Sequence, residues 1–155
     1  MTFAEAYEAA KAVPANDDWL SDSANDVSAI DGVQADVELD DLSKKFNESF
    51  KNHKFTVMIE LPGAANLGDN NNFAALSTRI GVWLVENPKK SRSDTDHSVV
   101  SLDALQKLAE AFVGQPGGKS KNNFKPSQKF MEFKQSKDGM IYYRLSFQIT
   151  THLKS

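Results

Sequence analysis

Residues 140–154 close the chain with the sequence MIYYRLSFQITTHLK. The odd positions from 141 to 149 are all apolar and comprise Ile141, Tyr143, Leu145, Phe147 and Ile149. A period of two that is sustained over this length predicts a β-strand with one face on a core. The other face is poor in lysine and glutamate and carries Tyr142, Arg144, Gln148 and Thr150. We expect this second face to contact a neighbouring subunit or to line a channel.

The rest of the chain predicts an α+β fold in the order α-β-β-α-β-β. A stripe of Leu39, Leu42, Phe46 and Phe50 indicates a helix over residues 37–52, and the strands 55–61 and 75–86 follow it. A second helix begins at Ser101 and ends before Gly114, and residues 137–139 form the turn of a closing hairpin. Consecutive strands would pair as hairpins. We therefore expect two layers, with two helices covering a mostly antiparallel four-stranded sheet.

The first 36 residues differ in composition from the remainder and predict an N-terminal arm beside a domain at 37–155. A short helix is expected over residues 3–12, ended by Pro14. Residues 15–36 are rich in Asp, Asn and Ser and predict an irregular or extended segment. Disordered linkers rarely contain tryptophan, so Trp19 is a candidate contact with another subunit.

Charge is divided unevenly along the chain. Residues 1–50 carry a net charge of −9, whereas residues 51–155 carry +6. Lysines concentrate in the basic loop and hairpin at 119–137, where Lys119, Lys121 and Lys125 are candidate interaction residues. A solvated edge protected by lysines is the simplest interpretation. Nucleic-acid binding and contact with the acidic arm of a neighbouring copy are the alternatives.

The sequence predicts no catalytic residue, no cofactor and no metal site. It lacks cysteine, and it contains none of the common phosphate-loop, nucleophile-elbow or zinc-protease motifs. The segment around Asp94, Asp96 and His97 and the glycine-rich residues 117–120 are interpreted as solvated loops. A non-enzymatic protein is therefore expected, with a small hydrolase or transferase as the weaker alternative. No apolar run reaches the roughly 20 residues needed to span a bilayer, so no membrane partner is expected.

Three segments give the chain a resemblance to a known family. They are the strand pair FTVMIEL (55–61) and STRIGVWLVE (77–86), the helix SLDALQKLAEAFVG (101–114), and the closing strand GMIYYRLSFQITT (139–151). These segments lie within residues 37–152. In the order of their elements and in their residue patterns they resemble the tail-terminator and neck (tail-completion) proteins of tailed phages. The resemblance rests on no diagnostic motif, so it transfers no functional residue.

The resemblance implies a structural role in a virion. It implies a homo-oligomeric ring of six or twelve copies that joins or caps a tail tube, in contact with other tail or neck proteins and without catalysis. The protein would then reside in the virion, and in the host cytoplasm during assembly. A nucleic-acid-binding accessory protein that uses residues 119–137 is the alternative function.

Overall fold

The closing hairpin forms as the alternation predicts. In the computed structural model, which describes residues 1–67, 75–92, 100–114 and 123–153, strand β6 is Met140–His152. Strand β5, Lys125–Lys137, pairs with it antiparallel through Asp138 and Gly139. Both turn residues have positive φ, +54° and +79°, as a type I′ hairpin turn requires. Lys125 and Lys129 were expected in a flexible loop, but they lie on this strand.

The centre of the sheet is β4, Ala75–Glu86, which pairs with β6 along its whole length. On its other side β4 pairs with β2, Phe55–Glu60, and, further along, with the short β3, Ala64–Leu67. β4 is buried from Ile80 onwards on both faces, because a strand that is apolar on both sides must be covered on both sides.

The predicted irregular segment contains a strand. β1, Val27–Val33, follows a short 3₁₀ helix at Ser23–Asn25 and pairs parallel with β2 at the edge of the sheet. The sheet is thus mixed and six-stranded, in the order β1-β2-β4-β6-β5, with β3 beside β4. The α+β class is confirmed. The four-stranded sheet and the simple α-β-β-α-β-β order are wrong, because β1 and β3 were not recognised.

The N-terminal residues are part of the same packed structure. Helix α1, Phe3–Asn16, begins with a capping box between Thr2 and Glu5, and it runs past Pro14 instead of ending before it. Helix α2, Asp18–Ser21, places Trp19 against Phe55, with ring centroids 5.9 Å apart. The expected extended arm is therefore a helical segment and an edge strand that pack on the sheet.

Helices cover both faces of the sheet. α1, α2 and α6, Val100–Val113, pack on the first face, over a core that includes Leu145, Phe147 and Phe112. The second face is covered by α3, Leu39–Lys45, and α4, Asn47–Asn52. These two replace the single helix predicted at 37–52, which is interrupted at Phe46. The prediction of helices on one face is wrong, because the connection between the parallel strands β1 and β2 carries α3 and α4 to the other face.

Candidate functional site

Arg144, a predicted interaction residue, is half-buried and forms an ion pair with the buried carboxylate of Glu60. The Arg144 guanidinium donates from Nε to Glu60 Oε2 at 2.7 Å and from Nη2 to Glu60 Oε1 at 2.8 Å. Glu60 is 1 % exposed, and its Oε2 also accepts from Trp83 Nε1 at 2.7 Å. Hydrogen bonding and proximity to Glu60 raise the pKa of Arg144. The guanidinium therefore stays charged, and the Glu60 carboxylate accepts three side-chain hydrogen bonds, two from Arg144 and one from Trp83.

The ion pair crosses the central strand at Gly81. Glu60 is on β2 and Arg144 is on β6, so β4 runs between them, and both side chains reach over its backbone. A Cβ at Gly81 would lie 2.5 Å from Arg144 Nη2 and from Glu60 Oε1, so only glycine leaves room for the pair. A cavity of about 260 Å³ opens beside it, with Asp36 and Arg79 in its wall. Since Glu60 already neutralises the charge of Arg144, we interpret the pair as a structural ion pair that links β2 to β6 across β4.

Tyr142 and Trp19 also serve the fold of this chain. Tyr142 is fully buried in the core of the second face, with its ring 5.7 Å from that of Phe50 and perpendicular to it. Burial raises the pKa of its hydroxyl. Trp19 packs against the first core, as described above. The expectation that Tyr142 faces a neighbour or a channel is wrong, because α3 and α4 bury it. Arg144 is half-buried and bound to Glu60, so its contact with a neighbour stays a prediction.

Gln148 and Lys125 remain at the surface and lie side by side. They are register partners on β6 and β5, and both line a shallow cavity of about 150 Å³. Ser77 on β4 donates to Gln148 Oε1 at 3.2 Å. The other two predicted basic residues, Lys119 and Lys121, lie outside the described residues. The structure thus brings together two of the seven predicted interaction residues at the surface.

Strand β5 forms an exposed edge that is both basic and apolar. Met131 is 53 % exposed and Phe133 is 58 % exposed, and no strand among the described residues pairs with the outer side of β5. The ring of Phe133 lies 5.3 Å from that of Tyr143, which is partly buried at the edge of the first core. Lys125 and Lys129 are exposed on the same strand. We call this surface the β5 edge. Sequence analysis missed Met131 and Phe133, because the apolar residues of FMEFK (130–134) predict a strand but do not place that strand at an edge of the sheet.

An apolar groove lies at the opposite side of the sheet, between α1 and β3. It has a volume of about 510 Å³, and its wall includes Phe3, Ala4, Tyr7, Leu61, Ala65 and Thr78. Phe3 is 42 % exposed and Leu61 is 41 % exposed. Among the described strands, β3 pairs only with β4, so its outer side has no partner. We call this surface the α1–β3 groove.

A second buried carboxylate is also structural. Glu86, at the end of β4, is fully buried and accepts from Arg92 Nε and Nη2, each at 3.0 Å. The hydroxyls of Ser91 and Ser101 donate to it as well. Burial would raise the pKa of Glu86, but the hydrogen bonds from Arg92, Ser101 and Ser91 lower it overall. Through these hydrogen bonds Glu86 links the sheet to the start of α6 and to helix α5, Pro88–Ser91.

The remaining candidate ligands do not form a site in the described part of the chain. Asp94, Asp96 and His97, together with residues 117–120, lie outside it. Within the described ranges, no three His, Asp or Glu side chains are grouped as a metal site would need. None of the helices in those ranges combines the length and the apolar character needed to cross a membrane.

No protein-family model matches the chain, and no curated protein matches it. The fold itself defines the class: an α+β protein with an open mixed sheet, helices on both faces and different exposed surfaces at its two edges.

Proposed function

We propose that this protein is a non-enzymatic virion structural protein of a phage-like particle, of the neck or tail-terminator type. In this proposal, copies of the chain form a homo-oligomeric ring that joins or caps the tail tube. Two observations support it: the resemblance of residues 37–152 to that family, and the different charge and apolar surface of the two sheet edges.

The observation that carries the proposal is the contrast between the two edges of one open sheet. β5 at one edge contains four lysines and one glutamate, together with the exposed Met131 and Phe133. The other edge, built from β1 and β3, adjoins the acidic N-terminal segment and the apolar α1–β3 groove. Opposite charges favour association of one edge with the other and disfavour pairing of like edges.

Joining unlike surfaces has a geometric consequence. A contact between two different surfaces repeats from copy to copy, and it produces a ring when the rotation between neighbours closes. An unpaired strand edge is also a template for adding a strand from another chain. A sheet that offers such an edge on both sides can therefore be extended by neighbours in both directions, as a ring requires.

The mass of the purified protein tests the proposal. Light scattering and native mass spectrometry over a concentration series are expected to detect a closed oligomer of one defined copy number. Mixing with tail tubes is expected to place the ring at the tube end, where electron microscopy would detect it. A clean monomer at high concentration that also fails to form a ring on tubes would overturn the proposal.

A second candidate function has support from the β5 edge alone. Phe133 stands between Lys129 and Lys134 on an exposed strand, and single-stranded nucleic acid is bound by lysines that contact phosphates and by aromatic rings that stack on bases. A filter-binding salt titration with single-stranded DNA separates the two functions. A nucleic-acid-binding protein would lose affinity steeply with salt. A slope near zero would remove this alternative.

A further inference from the structure

We infer that the α1–β3 groove is the docking site for Met131 and Phe133 of a second copy of this chain. The inference rests on the proposed function, because it identifies the side chains that join neighbouring copies. It commits to one occupant, the β5 edge, and to one receiving surface, the groove beside α1.

The chemistry of the two surfaces is complementary. The groove wall is predominantly apolar, with Phe3, Tyr7 and Leu61 around small residues that leave its floor open. The β5 edge supplies one aromatic and one flexible thioether side chain, each more than half exposed. Methionine adapts to irregular apolar gaps, and aromatic side chains fill them with a large rigid area. Among the described residues, the exposed large apolar side chains at these two places are Phe3, Leu61, Met131 and Phe133, and the others are Met1, Leu102 and Leu153.

Both surfaces lie on the same face of the sheet. Met131 and Phe133 are register partners of Leu145 and Tyr143, which belong to the first face. The groove is on this face as well, because Ala65 is opposite Thr78 and α1 covers the face. When the β5 edge of one copy lies beside β3 of another copy, the two sheets are continuous and share a first face. Met131 and Phe133 of the one copy then lie on the same side as the groove of the other.

Charge decides between the possible pairings. Three residues of the groove wall, Phe3, Ala4 and Tyr7, belong to residues 1–36, which as a whole contain eight acidic side chains and one lysine. The β5 edge brings Lys125 and Lys129, which are exposed. Contact of the β5 edge with a second β5 edge would bring lysines together. Contact with the α1–β3 groove would bring lysines to carboxylates.

Disulfide trapping tests the inference, and the chain is suited to it because it has no cysteine. The double variant Phe133→Cys/Ala65→Cys places one thiol on β5 and the other on the groove floor. Within one copy, β4 and β6 separate β3 from β5. Three strand spacings amount to roughly 14 Å, which is too far for a disulfide within the chain. Every disulfide must therefore join two copies.

A second double variant, Met131→Cys/Ala4→Cys, would detect a contact in which the β5 edge is displaced along the groove. The matched control is Phe133→Cys/Asn52→Cys, because Asn52 is exposed at the end of α4, which covers the opposite face. Phe133→Cys alone reports a two-fold contact between β5 strands. Oxidation is expected to give a ladder of covalent oligomers for at least one groove pair, with roughly tenfold more product than the control, since docking raises the local thiol concentration.

The outcomes separate this inference from the proposed function. If rings form under reducing conditions but neither groove pair gives more product than the control, the docking inference is overturned and the ring proposal stands. If Phe133→Cys alone forms dimers as efficiently as the groove pairs, the contact is two-fold and the inference is also overturned. If the unaltered protein is monomeric at all concentrations and on tubes, both fail.

Discussion

Arg144→Met is expected to lower the free energy of unfolding by about 3–5 kcal/mol, the range observed when one partner of a buried ion pair is removed. Glu60 would keep the Trp83 hydrogen bond and lose both contacts to the guanidinium. Its carboxylate is 1 % exposed, so the loss of two of its three donors leaves a buried charge with less compensation. Urea denaturation followed by circular dichroism would measure the change.

The double variant Glu60→Gln/Arg144→Met is the control for this prediction. It removes both charges together and keeps an acceptor for Trp83 Nε1, so it is expected to recover much of the lost stability, because no buried charge is left without its partner. The difference between the double variant and the sum of the single variants gives the coupling. If Arg144→Met lowers the free energy of unfolding by less than about 1 kcal/mol, as is typical of an exposed ion pair, the assignment of Arg144 to a structural ion pair would be contradicted.

Lys125→Glu/Lys129→Glu is expected to raise the apparent dissociation constant of the assembled protein by about 100-fold, equivalent to about 2.7 kcal/mol. Both lysines are exposed on the β5 edge, so their replacement should leave the core intact. In the assembled state the new carboxylates would face the acidic N-terminal segment of a neighbour. Light scattering over a concentration series would measure the shift in assembly.

Lys44→Glu/Lys51→Glu is the matched control for the charge reversal. It changes the net charge by the same amount on exposed positions of α3 and α4, away from the β5 edge. Assembly of this control is expected to remain close to that of the unaltered protein. Equal weakening by both double variants would indicate general repulsion between negatively charged copies, and it would contradict a specific role for the β5 edge.

Strands that have a strong apolar pattern were predicted correctly from the sequence, whereas strands with a weak local pattern were missed. The alternation of β6 and the two apolar faces of β4 gave both strands correctly, and Asp138–Gly139 gave the hairpin. β1 was missed, because Asp31 and Gly32 interrupt its apolar pattern within a segment rich in turn residues. Its parallel pairing with β2 is a long-range contact that no local pattern specifies.

Missing β1 explains most of the errors about interaction residues. The connection from β1 to β2 places α3 and α4 on the second face, and these helices bury Tyr142 and enclose the side of the sheet that holds Arg144. The polar alternation of β6 was therefore interpreted as a face that contacts a neighbouring subunit or lines a channel. One signal did point to the second layer: Trp83 and Val85 are apolar on the face that was assigned to water or a partner. The exposed Met131 and Phe133 could not be identified without the strand order that places β5 at an edge.

Amide hydrogen exchange in the dilute and assembled protein tests most directly the claim that unlike sheet edges join the copies. Backbone amides on the outer side of an edge strand exchange readily unless another strand protects them. The account predicts that β5 and the β1–β3 side both gain protection on assembly, in step with each other, while α3 and α4 stay unchanged. Protection of β5 alone would indicate a two-fold contact between like edges. That result, or an unchanged pattern at both edges, would contradict the account.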